Sequence, residues 1–322
     1  MVTAAAQQSG SEMPEVTVII VSYNTRELTL AAVRTLLENS PGLAMRVVVF
    51  DNASADGSAA AVAAAFPQVE VIANPENIGF AAANNRVAAT ATTPYVCLLN
   101  PDTETYPRAI INLLAFAKSH PEAGIVGGRT VFRDGSLNPA SCWRMMTPWT
   151  LFTSTFGLAR LLPNSELFNP EAMGGWKRDS VREVDIVVGC LMLVPTDLWQ
   201  RLGGFDERFF MYGEDADICL RARALGYRPM ITPDATIMHL VGASTKRHAD
   251  KVCAVMQAKS TLIRRHWPRW MVPLGLAQFW LWGLVRGLAG QVHPDPAQRE
   301  RFSQIWRERK RWLAGFREAS EA

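Results

Sequence analysis

The stretch Val16-Thr-Val-Ile-Ile-Val-Ser-Tyr-Asn24, VTVIIVSYN, decides the fold. Six apolar or β-branched residues run without alternation, which marks a strand covered on both faces, as in a parallel sheet. The run stops abruptly at a polar Ser-Tyr-Asn. The same transition recurs downstream. RVVVFD (Arg46–Asp51) passes into Asn-Ala-Ser, VEVI (Val69–Ile72) runs out at Asn74, and YVCLL (Tyr95–Leu99) passes into Asn100-Pro-Asp102. Helical stretches at Thr25–Asn39, Asp56–Ala65, about 79–90 and Pro107–His120 separate these strands, and AGIVGG (Ala123–Gly128) closes the half. Strand–helix alternation with short connections predicts an α/β fold with a parallel, doubly wound sheet. In such sheets ligands bind beyond the carboxyl ends of the strands. Four polar strand ends in succession therefore describe one binding rim, although Asn, Asp and Ser also suit ordinary turns and caps.

Several activities are excluded early. The first strand leads into VSYN and not into a Gly-rich dinucleotide turn. No basic Gly-rich loop of the nucleotidyltransferase kind is present, and no nucleic-acid-binding motif. The five cysteines show no metal-binding spacing; most lie in apolar runs and read as reduced and buried, which points to the cytosol. The opening residues 1–14 read as a loose tail without the basic start and apolar centre of a secretory signal.

The second half is less regular. Residues 129–181 are rich in Trp, Pro, Asn and Met and show weak periodicity, a pattern of functional or mobile segments. VDIVVGCLMLVP (Val184–Pro195) reads as a strand, and a short helix at Asp197–Leu202 follows. Then comes GGFDERFFMYGEDADICLRARALGYR, which crowds Glu214, Asp215 and Asp217 into the mouth of one helix that ends at Gly226. Those acids either cap the helix and pair with Arg221 and Arg223 or do chemistry. His239 lies in the apolar run IMHLVG; it reads as a core residue unless Asp102 lies near it, since imidazole and carboxylate together suit Mn²⁺.

Taken in order, VTVIIVSYN, FDNASADGS, NPENIGFAAANN, LLNPDTE, GGFDERFFMYGEDADICLRARALGYR and PDATIMHLVGAS resemble the family-two glycosyltransferases of GT-A fold. The likeness runs from Val16 to Ser244 and is strongest to bacterial rhamnosyltransferase-like enzymes of cell-surface polysaccharide synthesis. The resemblance implies that Asp215 is the catalytic base with Glu214 as its orienting neighbour. It implies that Asp51 reads the nucleobase and that Asn84 or Asn85 holds the ribose-diphosphate. Ser22, Asn24, Asn52 and Asn100 join them on the donor-binding rim. It further implies that Asp102 and His239 hold Mg²⁺ or Mn²⁺. The first acid of the family's metal motif is Asn100 here, which leaves one carboxylate at that place. The implied reaction is an inverting, metal-dependent transfer from a nucleoside diphosphate sugar, dTDP- or UDP-linked, to a polyprenyl-linked or polysaccharide acceptor. Rhamnose from dTDP-rhamnose is the expected donor. A UDP-sugar transferase of the same fold and a nucleotide-binding module without turnover are the alternatives.

The expected division is a catalytic domain over 15–245, with a nucleotide-sugar half (15–128) and an acceptor half (129–245), and a helical extension over 246–322. From Lys259 to Arg317 there are twelve Lys/Arg against three Asp/Glu. Trp270–Val285 is uncharged, shorter than the ~20 residues that span a bilayer, and flanked by arginines. Trp267, Trp270, Trp280 and Trp282 decorate it. This predicts an interfacial helix, with a second helix over Arg299–Phe316, on the inner face of the cell membrane. The competing expectation is that these helices pack on the catalytic domain or on a second copy of the chain.

Overall fold

The computed structural model describes residues 13–240 and 248–316. Most of the expected tail, the last residues of the resembling region and the boundary at 245/246 lie outside the described residues. The elements, in chain order, are β1 (Val16–Ser22), α1 (Arg26–Glu38), β2 (Met45–Asn52), α2 (Ser58–Ala65), β3 (Glu70–Asn74), α3 (Gly79–Ala88), β4 (Tyr95–Leu99), β5 (Thr103–Thr105), α4 (Ala109–Ser119) and β6 (Val126–Val131). They continue with β7 (Cys142–Trp143), α5 (Pro148–Thr155), α6 (Leu158–Leu161), β8 (Arg182–Glu183), β9 (Ile186–Val187), β10 (Leu191–Pro195), α7 (Thr196–Leu202), α8 (Glu214–Ala224) and β11 (Met230–His239). Helices α9 (His248–His266), α10 (Val272–Val292), α11 (Pro296–Arg307) and α12 (Arg309–Ala314) complete it.

One sheet dominates, in the order β3-β2-β1-β4-β10-β6-β11-β5, with β8 beside β11. The first four strands are parallel, as their unbroken apolar sequences require. The sheet as a whole is mostly parallel and flanked by helices, as expected of a GT-A-like fold, and β10 is its central exception. That strand enters between β4 and β6 and runs antiparallel to both. Its register sets Leu191 against Leu99, so the start of β10 lies at the carboxyl end of β4. The turn Val188–Cys190 is thereby delivered to the rim where ligands bind. For the same reason 184–195 is not one strand. It breaks at Gly189, and its first part, β9, pairs with β7 in a separate ribbon.

Apolar side chains pack on both faces of the sheet in two clusters. A third cluster joins Met146, Leu151, Phe209 and Ala216 to Ile263, Phe279, Ile305 and Trp312 of the C-terminal helices. These helices are thus built onto the segments around α5 and the start of α8. Trp267 and Trp282 are buried there, which corrects their expected place as interfacial anchors; Trp270 and Trp280 are exposed. The expected helix over Arg299–Phe316 breaks at Glu308 into α11 and α12. No described helix is long and apolar enough to cross a membrane.

Candidate active site

A cleft of about 1200 Å³ opens at the carboxyl ends of β1, β2 and β4. It is larger than the ~300–1,000 Å³ of ordinary small-molecule sites. Asn24, Asn52, Asn100 and Asp102 line it from the strand ends, and Glu214, Asp215 and His239 line it from the second half. The residues from distant parts of the sequence therefore share one cavity.

Backbone bonds hold the two acidic segments together. The Asn100 N–H donates to the Cys190 carbonyl at 3.1 Å, and the Gly189 N–H donates to Asp215 Oδ2 at 3.2 Å. The turn brought in by β10 is the bridge. On the other side, the Leu240 N–H donates to the Asp102 carbonyl at 3.0 Å, which pins the end of β11 to the β4 rim. His239 Nε2 consequently lies 3.4 Å from Asp102 Oδ1, both groups being largely buried, and His239 Nδ1 has no hydrogen-bond partner. Burial disfavours the imidazolium, yet the neighbouring Cys190 and Asp102 carry the ring's pKa up to about 10.

Helix α8 starts at Gly213, with φ of +96°, a backbone setting that glycine adopts without strain. A Cβ there would also meet Ala258 of α9 at 2.8 Å. Gly79 has φ of +84° and abuts the Phe210 carbonyl at 2.5 Å from its would-be Cβ, so α3 and the loop before α8 meet backbone to backbone.

The two acids at the mouth of α8 differ. Glu214 is buried, its Oε2 has no partner, and burial together with the Asp215 charge drives its proton affinity well up. Asp215 lines the cleft half-buried. Burial raises it too, while the N–H groups of Gly189 and Ala216 oppose the shift by stabilising its anion. The proton therefore belongs on Glu214 and the free carboxylate on Asp215. Asp217 is spent otherwise: it binds Arg221 at 2.7 Å, His266 at 2.9 Å and Arg265 at 3.2 Å, tying α8 to α9. Burial works against its charge, but His266, Arg221 and Arg265 outweigh it and lower its pKa. Arg223 pairs with Glu183 and Asp185 and not with the α8 acids.

Three of the rim residues expected at the donor are used elsewhere. The Ser22 hydroxyl is buried against Thr29 at 2.9 Å and Thr25 at 3.2 Å, where it fixes the start of α1. Asn84 is fully buried with its amide on the Phe80 carbonyl, one turn back in α3. Asn85 spends its amide on Phe205 and Glu207 and its oxygen on the Phe205 N–H, so it holds the Gly-Phe-Asp loop. None of the three lines the cleft, and neither does Asp51. Asn52 lines it while pinning Ile78 and Gly79, and Asn24 links the β1 and β2 ends through Ser54 and Ala55. Asp51 takes the Ser54 N–H on Oδ2, and its buried Oδ1 has no partner.

The opposite wall comes from the irregular 129–181 region and from α9, and none of its residues was singled out in the sequence. Trp143, Arg144, Thr150, Thr153, Ser154 and Ala159, and the α9 face with Lys251 and Lys259, line the cleft. Lys259 pairs with Glu171, and Lys251 stands over the Tyr212 ring at 5.6 Å. The region from 129 to 181 is thus partly helical. Its signal was Thr147-Pro148-x-Thr150, in which Thr147 and Thr150 form a reciprocal cap and Pro148 opens the helix.

All five cysteines are free and buried. Among the described residues no group of three His, Cys, Asp or Glu is placed to hold a metal ion. Asp102 Oδ1 and His239 Nε2 face each other and are donors of the types Mn²⁺ and Mg²⁺ accept, the ring giving up the proton that Asp102 otherwise favours.

A parallel sheet whose strand ends and acidic helix mouth enclose one large cleft is the build of a nucleotide-sugar transferase, and comparison with known proteins agrees. Residues 17–185 match Glycosyl transferase family 2, and the chain belongs to that family. It is 30% identical over 279 residues to the N-acetylglucosaminyl-diphospho-decaprenol L-rhamnosyltransferase of Mycobacterium tuberculosis, covering 77% of this chain and 82% of the relative. It is 28% identical over 217 residues to a low-salt glycan biosynthesis hexosyltransferase of Haloferax volcanii, covering 66% and 62%. The fold superposes on a mannosyltransferase of Pyrobaculum calidifontis in complex with GDP-Man and Mn²⁺, at a TM-score of 0.56 and 19% identity, covering 94% of this chain and 84% of that one. The protein is a glycosyltransferase of GT-A fold, of the hexosyltransferase kind, similar to a rhamnosyltransferase and to a hexosyltransferase of glycan biosynthesis.

Proposed function

We propose that this enzyme transfers rhamnose, with inversion, from dTDP-rhamnose to a sugar carried on a polyprenyl diphosphate at the membrane surface. The observation that carries the reading is that Asp215 and Asp102 line one cleft large enough for a donor and an acceptor sugar together. Asn24 and Asn52, which line the cleft at the ends of β1 and β2, would flank the nucleoside, with buried Asp51 behind them offering its unpartnered Oδ1 to the base. Asp215 accepts the proton of the acceptor hydroxyl as that oxygen bonds to the anomeric carbon. The bond from that carbon to the diphosphate oxygen breaks, and its electron pair leaves with dTDP. Attack from the face opposite the leaving group inverts the configuration. Glu214, holding its proton, adds no second negative charge beside Asp215. Asp102 and His239, with the donor's diphosphate completing the set, would hold a divalent cation, which when bound offsets the charge of the departing diphosphate. The rhamnose and lipid assignments are supported by the Mycobacterium tuberculosis relative, whose name gives both.

The test is a donor screen by thermal shift with Mn²⁺ present, followed by NMR of the product's anomeric centre. A shift with dTDP and dTDP-rhamnose but none with UDP, and an inverted product, are expected. A shift with UDP alone contradicts the donor; release of no nucleoside diphosphate from any donor contradicts the enzyme reading. Retention of configuration contradicts the base assigned to Asp215.

A further inference from the structure

Helix α5 has two unlike sides. Thr150, Thr153 and Ser154 line the cleft. Trp149, Phe152 and Phe156, spaced three and four residues apart, face solvent at 42%, 41% and 51% exposure. They form a ridge: Trp149 stacks on Phe152 with ring centres 5.4 Å apart, and Phe152 meets Phe156 at 4.8 Å. The Trp149 indole N–H already donates to the Leu167 carbonyl at 2.7 Å, so the ridge carries no unpaired donor into an apolar medium. Leu161, Leu162 and Leu167 extend it, all exposed.

Helix α10 runs alongside. Gln278 Nε2 donates to the Pro148 carbonyl at 3.0 Å and Arg286 Nη2 to the Ser154 carbonyl at 3.2 Å. Arg286 is the single charged residue of α10, and it is turned to α5 and the Trp282 ring. The outer stripe of α10 is consequently uncharged, with Leu274, Trp280, Leu288 and Val292 exposed. Exposed cations precede and follow this stripe along the chain: Arg264 and Arg269 before α10, and Arg299, Arg307, Lys310 and Arg311 after it, of which Arg307 pairs with Glu300 and Arg311 with Glu308. A broad apolar face on a soluble surface marks a docking site. Aromatic rings, an uncharged stripe and flanking arginines match the boundary layer of an anionic bilayer.

We infer that the α5 ridge and the α10 outer stripe form one docking face that seats the cleft on an anionic lipid surface. The wall helix α5 is then shared by bilayer and cleft, and the lipid-linked acceptor enters past it from the membrane plane. This rests on the acceptor class proposed above.

The experiment is flotation of the full chain with phosphatidylcholine–phosphatidylglycerol vesicles, wild type against a triple variant Trp149→Ser, Phe152→Ser, Phe156→Ser. Wild type floats, more weakly with phosphatidylcholine alone, and the triple variant loses affinity on the order of tenfold or more. A second variant on α10, Leu288→Glu with Val292→Glu, loses affinity in the same direction and guards against a folding defect in the first. Turnover of a long-chain polyprenyl acceptor falls in both variants, while turnover of a short, water-soluble acceptor analogue stays at the wild-type value. Equal flotation of wild type and variants overturns the proposal. So does a wild-type dimer in light scattering that the triple variant dissolves, since a second copy would then cover the face. If wild type turns over no acceptor at all, the transfer reading fails while flotation still reports on the face.

Discussion

The cleft has two walls of different origin. The strand-end wall, with Asn24, Asn52, Asn100 and Asp102, is set by parallel strands that hydrogen-bond to their neighbours over their length. The helical wall, with α5, α8 and α9, is set by contacts between segments far apart in sequence: Gly213 against Ala258, and Asp217 against Arg265 and His266. A sheet edge holds its residues even when one hydrogen bond is lost. A helical wall depends on a few buried groups, so its residues are the more sensitive to single changes.

The largest expected effect is therefore on the helical wall. Asp217→Ala leaves Arg221, Arg265 and His266 around a vacated, fully buried site and destabilises the fold by about 3–5 kcal/mol, measured by urea unfolding. A loss below about 1 kcal/mol would erase the contrast between the walls. The sign with pH follows from the lowered pKa of Asp217. The Asp217 contribution is fully present above the ordinary aspartate pKa of ~3.9 and is lost as pH falls below it toward the folded value. Acid unfolding of Asp217→Asn is accordingly less steep than that of wild type.

On the strand-end wall, Asp102→Asn removes the carboxylate beside buried His239 and costs stability, though less than Asp217→Ala, which strands three partners. It weakens donor binding in the presence of Mn²⁺ by about 10–100-fold, read by calorimetry. Unchanged donor affinity would remove Asp102 from the site. The pair on α8 makes a smaller and more discriminating prediction. Burial raises Asp215, so its basic form is lost at a pH above the ordinary ~3.9, and kcat falls as pH drops through that raised value. Glu214→Gln mimics the protonated Glu214 and keeps kcat within about threefold with the same acidic limb. A limb displaced downward by that substitution would show that Glu214 is charged in the working enzyme. Smallest of all, Ser22→Ala costs about 1 kcal/mol through the Thr25–Thr29 network and leaves donor affinity unchanged.

The two walls were unequally legible in the sequence. Strand ends could be read because a continuous apolar run and its polar stop are local. β10 could not, because nothing local tells a strand to enter a parallel sheet backwards, and its insertion is what carries Gly189 to Asp215. Asn84 and Asn85 looked like donor ligands, but the rotation of α3 turns them toward Phe80 and the Phe205 loop. The helix-mouth acids were legible as a pair, but which of them holds the proton was not. That depends on the burial of Glu214 beside the Asp215 charge and on the Gly189 and Ala216 N–H groups that reach Asp215, none of which is a local property of the sequence. In the C-terminal helices an apolar stripe for a core and one for a lipid surface have the same composition. Only packing separates buried Trp267 and Trp282 from exposed Trp270 and Trp280.

Single-turnover transfer by Asp215→Asn, with donor binding measured on the same preparation, is the most direct test of the shared cleft and its base. The account predicts donor affinity equal to wild type and a rate of transfer lower by about 10²–10⁴-fold. A variant that transfers sugar at the wild-type rate would contradict it.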